Sequence, residues 1–406
     1  MTTVKTALVI GGGIAGPAAA MALRRAGIEA VVYEAYAESS ADGVGAMLGI
    51  APNGIEALRI IGADEAVRAV GQPTRNMLMM DGRGRRMGAF LAPQGLPPGV
   101  ALWRTDLHRA LRDTALAQGV TFEHGKRLVG VEERPDGITA RFGDGTTATA
   151  DVLVGADGIR STVRTLIDPD APEPDHVPLL NFGAAARTTV PGDPENMYFV
   201  FGRRAFLGYW PQLDGTTAWF VNLPHRARTT TAEARRTPPD EWLRRLREVV
   251  GDETPGRDLL AHTDPEDLIV LGTMGIIPSA SRWYRDRMVL VGDSVHAPSP
   301  SSGQGASLAV ESAVQLARCL RDLPDVPSAF AAYERLRRPR VEKIAARAAK
   351  TNGTKALGPV GTAFMRLFMP IATRTFLSGE KTLGPEQRYR IDWDAPADAS
   401  ALVNSA

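Results

Sequence analysis

The sequence predicts an α/β protein: a nucleotide-binding domain with an inserted antiparallel β-sheet and helices at its C-terminal end. Three observations predict it. Val9-Ile-Gly-Gly-Gly-Ile-Ala-Gly16 joins an apolar run to a helix-forming run through a glycine turn. A second strand–loop–helix stretch runs from Met288 to Ala313, almost three hundred residues later. Between them, residues 173–280 are short strand-like pieces rich in aromatics. One dinucleotide site assembled from both ends of a chain points to a nucleotide that stays bound.

Ala7-Leu-Val-Ile10 reads as a buried parallel strand. Gly11, Gly13 and Gly16 then keep the G-x-G-x-x-G spacing of a Rossmann-like unit, enclosing Ile14 and Ala15. Gly11 permits the tight turn, Gly13 lets a pyrophosphate approach the backbone, and Gly16 lets helix and strand pack closely. Pro17 falls in the first helical turn, where a missing N–H costs little. The helix stops at Gly27, and a second strand delivers Glu34 at its tip. A carboxylate there accepts from ribose hydroxyls and repels a 2′-phosphate, which disfavours NADP and leaves FAD and NAD open.

Composition narrows the class. The chain has 406 residues, 44% hydrophobic, so two or three lobes with real cores are expected. Lys+Arg 47 against Asp+Glu 46 gives +1, which offers no footprint for nucleic acid or an anionic membrane surface. Cys319 is the only cysteine, which excludes an internal disulfide and a redox dithiol. No apolar run reaches the roughly 20 residues of a membrane span, and the N-terminus enters a strand without leader-like features. A cytoplasmic enzyme is the expectation.

Downstream, Ala101-Leu-Trp-Arg104 ends a strand, with Thr105 as the expected cap of the next helix. Arg104 at that junction either forks onto a pyrophosphate or is a solvated helix-start arginine. Phe142-Gly-Asp-Gly145 signals a hairpin, and Asp151 to Gly158 is a buried strand ending in an acidic turn at Asp157. In residues 173–280 the aromatics include Tyr209, Trp210 and Trp219, near Asn222; a helical piece from Pro239 to Val250 interrupts the strands. Met288 to Val291 is another buried strand, ending at Gly292-Asp293. Asp293 suits a ribityl or ribose hydroxyl. Gly303 and Gly305, followed by Ala306, let backbone lie against a flat ring at a helix N-terminus, whose dipole favours negative charge. His296 reads as loop hydrogen bonding rather than as a catalytic group.

These residues resemble the single-component FAD-dependent aromatic hydroxylases, the para-hydroxybenzoate hydroxylase-like monooxygenases. The resemblance rests on GGGIAG with Glu34, on Asp157-Gly158 within VGADGIRS, and on Gly292-Asp293 with GQGA, and runs to about residue 345. It implies FAD contacts at Gly11, Gly13, Gly16, Glu34, Arg104, Asp293 and Gly305-Ala306, and a role for Asp157 toward FAD and NAD(P)H. NAD(P)H as transient co-substrate, O2 and an aromatic or polyketide-like small molecule complete the implied reaction. The flavin carries that chemistry, so no catalytic side chain and no metal cluster is singled out. Hydroxylation is favoured over epoxidation or Baeyer–Villiger insertion. An FAD-dependent dehydrogenase and a flavin-binding sensor are the alternatives; the W-x-W-x-I-P segment of flavin halogenases is missing from the sequence. Ser312 stands where family members often carry Asp, which puts a helix-to-loop hydrogen bond in doubt, and the chain stops short of the thioredoxin-like domain of larger relatives.

The expected organisation assigns 1–72, 103–172 and 281–322 to the FAD-binding domain. Residues 73–102 and 173–280 form the substrate domain, and 323–406 a helical C-terminal region. The arginines of Pro327 to Lys350 read as a solvated helix face. Val360 to Leu377 reads as packing on the body, with a lid or homodimer contact as the second reading.

Overall fold

The computed structural model describes residues 4–38, 45–277, 279–352, 364, 368–373, 375 and 377–397. Among these, a six-stranded sheet has the order Tyr284–Arg285, Met288–Leu290, Val152–Gly155, Thr6–Ile10, Glu29–Tyr33, Thr121–Glu123. All its pairings are parallel except the edge strand Tyr284–Arg285. Thr6–Ile10 is almost wholly buried because helix Ala15–Arg25 and the strand Thr147–Ala150 both pack against it, which explains its unbroken apolar run. A three-stranded antiparallel sheet, Leu128–Arg134, Gly137–Phe142 and Thr147–Ala150, packs beside it, with the predicted hairpin at Phe142 to Gly145.

Helix Gly305–Asp322 runs through the middle of this layer. It packs on helices Ala15–Arg25, Pro52–Ile60 and Val326–Asn352. Buried on nearly every side, it must find partners for its polar residues: the backbone N–H of Ala51 donates to Ser307 at 3.1 Å, and Ser312 and Glu311 meet groups described below.

The second layer is a seven-stranded sheet in the order Ile269–Ile276, Asp175–Ala186, Thr217–Pro224, Phe206–Pro211, Asn196–Phe201, Asn76–Asp81, Arg86–Phe90. It is mixed rather than purely antiparallel, because Asn76–Asp81 pairs in parallel with Asn196–Phe201. The hairpin of residues 76–90 comes from a distant part of the chain and enters from the side, which sets its direction. Gly99–Trp103 does not join this sheet; it pairs with Met47–Ile50 and Gln72–Thr74. Helix Pro239–Val250 covers one face through Trp242, Leu243, Leu246 and Val250, while Glu241, Arg244, Arg245 and Glu248 face out. Each such buried apolar side chain contributes about 1.5–3 kcal/mol.

Helix Arg104–Ala117 begins at Arg104, one residue before the expected cap; its N-cap Trp103 makes no side-chain hydrogen bond, and Thr105 lies inside the helix. The arginines of Val326–Asn352 do not form one solvated face. Arg335 is exposed, but Arg337 is fully buried and Arg340 and Arg347 are largely covered. Most of Val360 to Leu377 lies outside the described residues. Within it, Met369 packs with Met79 and Met87, whereas Phe364 and Ile371 are exposed. No helix among the described residues is long and apolar enough to cross a membrane.

Candidate functional site

The glycine turn has the geometry its spacing predicts. Gly11 adopts φ 105°, and a Cβ on it would lie 2.5 Å from the Ala156 carbonyl oxygen. A Cβ on Gly16 would fall 1.9 Å from the Gly11 oxygen, so this glycine permits the close helix–strand contact. Gly13 is different: a Cβ there meets nothing within 4 Å, so its backbone borders open space. The Glu34 carboxylate is pinned at the strand tip, accepting from the Gly12 N–H at 2.7 Å and the Tyr36 N–H at 2.9 Å. His108, which the sequence reading passed over, bonds the Gly12 carbonyl at 2.8 Å and ties helix Arg104–Ala117 to the turn.

Both signatures meet at one cavity of ≈ 300 Å³. Ile14, Ala15, Arg104, Asp293, Gly303, Gly305 and Ala306 all line it, joined by Met47–Gly49, Ala156, Gly158 and the Pro298–Gln304 loop. Gly303 sits at φ 61°, and neither Gly303 nor Gly305 offers anything within 4 Å of a Cβ. Flat, side-chain-free backbone at the start of an 18-residue helix is a seat for a planar, electron-accepting ring. Across from it, Asp293 opens onto the cavity. Although its side chain is exposed on the cavity side, the surrounding protein desolvates the carboxyl and pushes its pKa up to about 6, while the Arg104 guanidinium pulls the other way. An acceptor, a cation and two bare glycine surfaces match the hydroxyls, phosphates and ring of FAD.

Asp157 is not presented to the cavity through its carboxylate. That group accepts from Ser161 Oγ at 2.5 Å and from the N–H groups of Thr162 and Val163 at 2.7 and 3.1 Å, holding the start of helix Thr162–Ile167. Its neighbours Ala156 and Gly158 reach the cavity instead. His296 is fully buried, 3.0 Å from Ser312 Oγ, and desolvation holds its pKa down at about 3, so it is a neutral loop anchor. The doubt raised by Ser312 is thereby answered: its hydroxyl makes the helix-to-loop bond.

The aromatic strands sort by pleat. Tyr209 and Trp219 face the helix-covered side, in one core with Trp242, Leu243 and Leu246. Trp219 Nε1 donates to Thr263 at 2.9 Å, and Tyr209 stacks on Tyr198 at 4.8 Å. Both sequence-based pocket assignments are corrected, because strand alternation turns these side chains away from the nucleotide domain. Trp210 faces the other way, against Ala101, Met47, Trp103 and Phe220; Met47 is itself a cavity wall. Asn222 alternates onto the same side as Phe220 and donates to Asn181 at 2.8 Å.

A protein-family model described as an FAD binding domain matches residues 4–348. The chain belongs to this FAD-binding family. The FAD-dependent urate hydroxylase of Klebsiella pneumoniae is 33% identical over 324 residues, 78% of this chain and 81% of that one. The 3-amino-4-hydroxybenzoate 2-monooxygenase of Streptomyces cremeus is 31% identical over 332 residues, 78% of each. A crystal structure of Klebsiella pneumoniae HpxO complexed with FAD and uric acid matches at TM-score 0.80 and 27% identity, covering 94% of this chain and 98% of that one. This family member is an FAD-dependent monooxygenase, and neither the dehydrogenase nor the sensor alternative is supported.

Behind the glycine seat, the flavoprotein carries a polar cluster that the sequence reading missed. Glu311 is fully buried; Arg337 contacts it at 2.7 Å, Arg340 donates to both its oxygens at 2.9 Å, and Asn53 donates to it at 2.7 Å. Asn53 also reaches the cavity residue Gln304 at 2.9 Å. The guanidiniums hold the Glu311 carboxyl below the usual range despite burial. A signal existed: Glu311 is the one charged residue in the first two-thirds of helix Gly305–Asp322, up to Ala317, and Arg337 and Arg340 are spaced i, i+3 on the face that buries Tyr333, Val341 and Ile344.

Proposed function

We propose that this monooxygenase inserts one oxygen atom, as a hydroxyl group, into an aromatic or polyketide-like small molecule, consuming O2 and NAD(P)H. The observation that carries this reading is the single cavity shared by the two distant signatures. When bound, FAD supplies the electron transfer and O2 activation that no side chain here performs. The division of labour among the residues is then specific. Gly11–Gly16 and Arg104 take the pyrophosphate and Glu34 the ribose. Asp293 accepts from a ribityl or ribose hydroxyl, and Gly303, Gly305 and Ala306 support the ring. Of the expected substrate domain, 73–102 and 173–280, we assign residues 76–90 and 173–280 to the layer over the FAD site, because Gly99–Trp103 pairs with Met47–Ile50 and Gln72–Thr74 instead.

Substrate binds under that layer, on the side of the sheet carrying Trp210 and Asn222. The Trp210 Nε1–H is buried and has no acceptor among the described residues, which supports a polar substrate atom next to the indole. Apolar walls of Met47, Trp103 and Phe220 exclude water and orient a flat molecule. Urate and 3-amino-4-hydroxybenzoate, named for relatives, are flat polar ring compounds of this kind. The test is a screen of such compounds by mass spectrometry under 18O2 with NADH and with NADPH. A product heavier by one 18O atom is the expected result; FAD-coupled oxidation of substrate without oxygen gain overturns the reading.

A further inference from the structure

The buried cluster behind the glycine seat is unbalanced in charge. Glu311 and Glu386 face Arg337, Arg340 and Arg347, three guanidiniums against two carboxylates, leaving one formal positive charge. Arg347 donates from Nε and Nη2 to Glu386, both at 2.7 Å, and Arg340 donates to the Glu386 carbonyl at 2.9 Å, so the five groups are continuous. His296, the nearest titratable neighbour through Ser312, is neutral.

The cluster also touches the seat on both sides. Arg337 Nη2 lies 3.4 Å from the Leu308 carbonyl, in the first turn of helix Gly305–Asp322. Arg347 Nη2 lies 3.4 Å from the Ser302 carbonyl, immediately before Gly303. Asn53 links Glu311 to Gln304, between the two glycines. The excess positive charge sits at the Glu311 end, where Arg337 and Glu311 are fully buried and Arg340 nearly so, and acts over such distances with little screening, whereas Arg347 is partly open to solvent.

We propose that Arg340, the guanidinium in excess on Glu311, is a positioning and charge-biasing residue that raises the reduction potential of the bound flavin. Two electrons and one proton taken from NAD(P)H leave the isoalloxazine with one added negative charge, and the cluster's positive charge favours that state over the neutral oxidised one. The inference rests on the ring lying against Gly303 and Gly305. That placement is tested apart from it by FAD binding to Gly305→Leu, in which the potential plays no part.

The experiment measures the midpoint potential of bound FAD by anaerobic equilibration with a reference dye. Arg340→Gln keeps a hydrogen-bond donor to Glu311 but removes the excess charge, and its potential should fall. Glu386→Gln removes a negative charge from the same cluster, and its potential should rise. Arg340→Lys should keep the wild-type value. Unchanged potentials in both charge variants, or shifts in the same direction, overturn the proposal, because a purely structural role does not follow the sign of the charge. If Arg340→Gln does not retain FAD, Glu386→Gln decides alone; loss of FAD in both also overturns it, since the cluster is then a fold element.

Discussion

Trp210 and Tyr209 are adjacent, both aromatic and both buried, yet they belong to different problems. Trp210→Ala should raise H2O2 released per NAD(P)H consumed, on top of the packing loss of a buried indole, because a loosely held substrate no longer intercepts activated oxygen. Tyr209→Ala should instead cost about 3–5 kcal/mol of stability with coupling unchanged, since its ring packs with Tyr198 in the helix-covered core. Peroxide yield and urea denaturation on both variants separate the two outcomes. Asp293 makes a second residue-scale prediction. Its folded pKa of about 6 lies above the unfolded value near 3.8, so its contribution to apoprotein stability is full below about pH 4 and lost as pH rises through 6. Asp293→Asn should therefore raise the apoprotein Tm at pH 7.5, an effect softened by solvent reaching the carboxylate, and do nothing at pH 4. The same variant should bind FAD more weakly at pH 7.5, where the wild-type carboxylate is ionised and accepts best. Glu34→Arg should also lose FAD affinity, through both size and charge.

At the scale of elements, the proposed seat of the flavin ring at the start of helix Gly305–Asp322 makes a prediction. A Cβ on Gly305 meets nothing in the protein, so Gly305→Leu should leave the apoprotein Tm near wild type and abolish FAD retention. A parallel loss of Tm would place the constraint in the fold rather than in the ring's space. The glycine spacing, the acidic strand tips and the helix limits of Pro239–Val250 were legible because each follows from local geometry within a few residues. Thr105 was misjudged as a cap for a reason that is not local. Gly45 packs against the Arg104 side chain, and the Arg104 N–H donates to the Ala46 carbonyl, so the helix starts one residue earlier on a contact from a distant strand.

Across the whole molecule, the nucleotide layer and the seven-stranded sheet are bridged by segments that leave one and return to the other. The Glu311 cluster ties the nucleotide layer itself together, joining helices Pro52–Ile60, Gly305–Asp322 and Val326–Asn352 in the interior. Glu311→Ala should destabilise the protein by about 3–5 kcal/mol, because two covered guanidiniums lose their shared carboxylate. Equilibrium denaturation of the FAD-loaded protein, with C-terminal proteolysis as a second probe, checks this. A loss under 1 kcal/mol would mean that water or another acid takes over.

The sequence by itself determined the class of fold and a dinucleotide seat, and its resemblance to the FAD-dependent hydroxylases implied the flavin chemistry. Glycines at fixed spacing and carboxylates at strand tips have few physical uses, and those uses depend on neighbours along the chain. Tertiary structure alone decided which aromatic side chain turns toward Met47 and the nucleotide layer. It also turned the Asp157 carboxylate onto its own helix and drew Arg337 and Arg340 out of water onto Glu311. Strand parity is defined only once a partner layer covers one face, and an arginine is buried only when a carboxylate from another helix is already there to meet it.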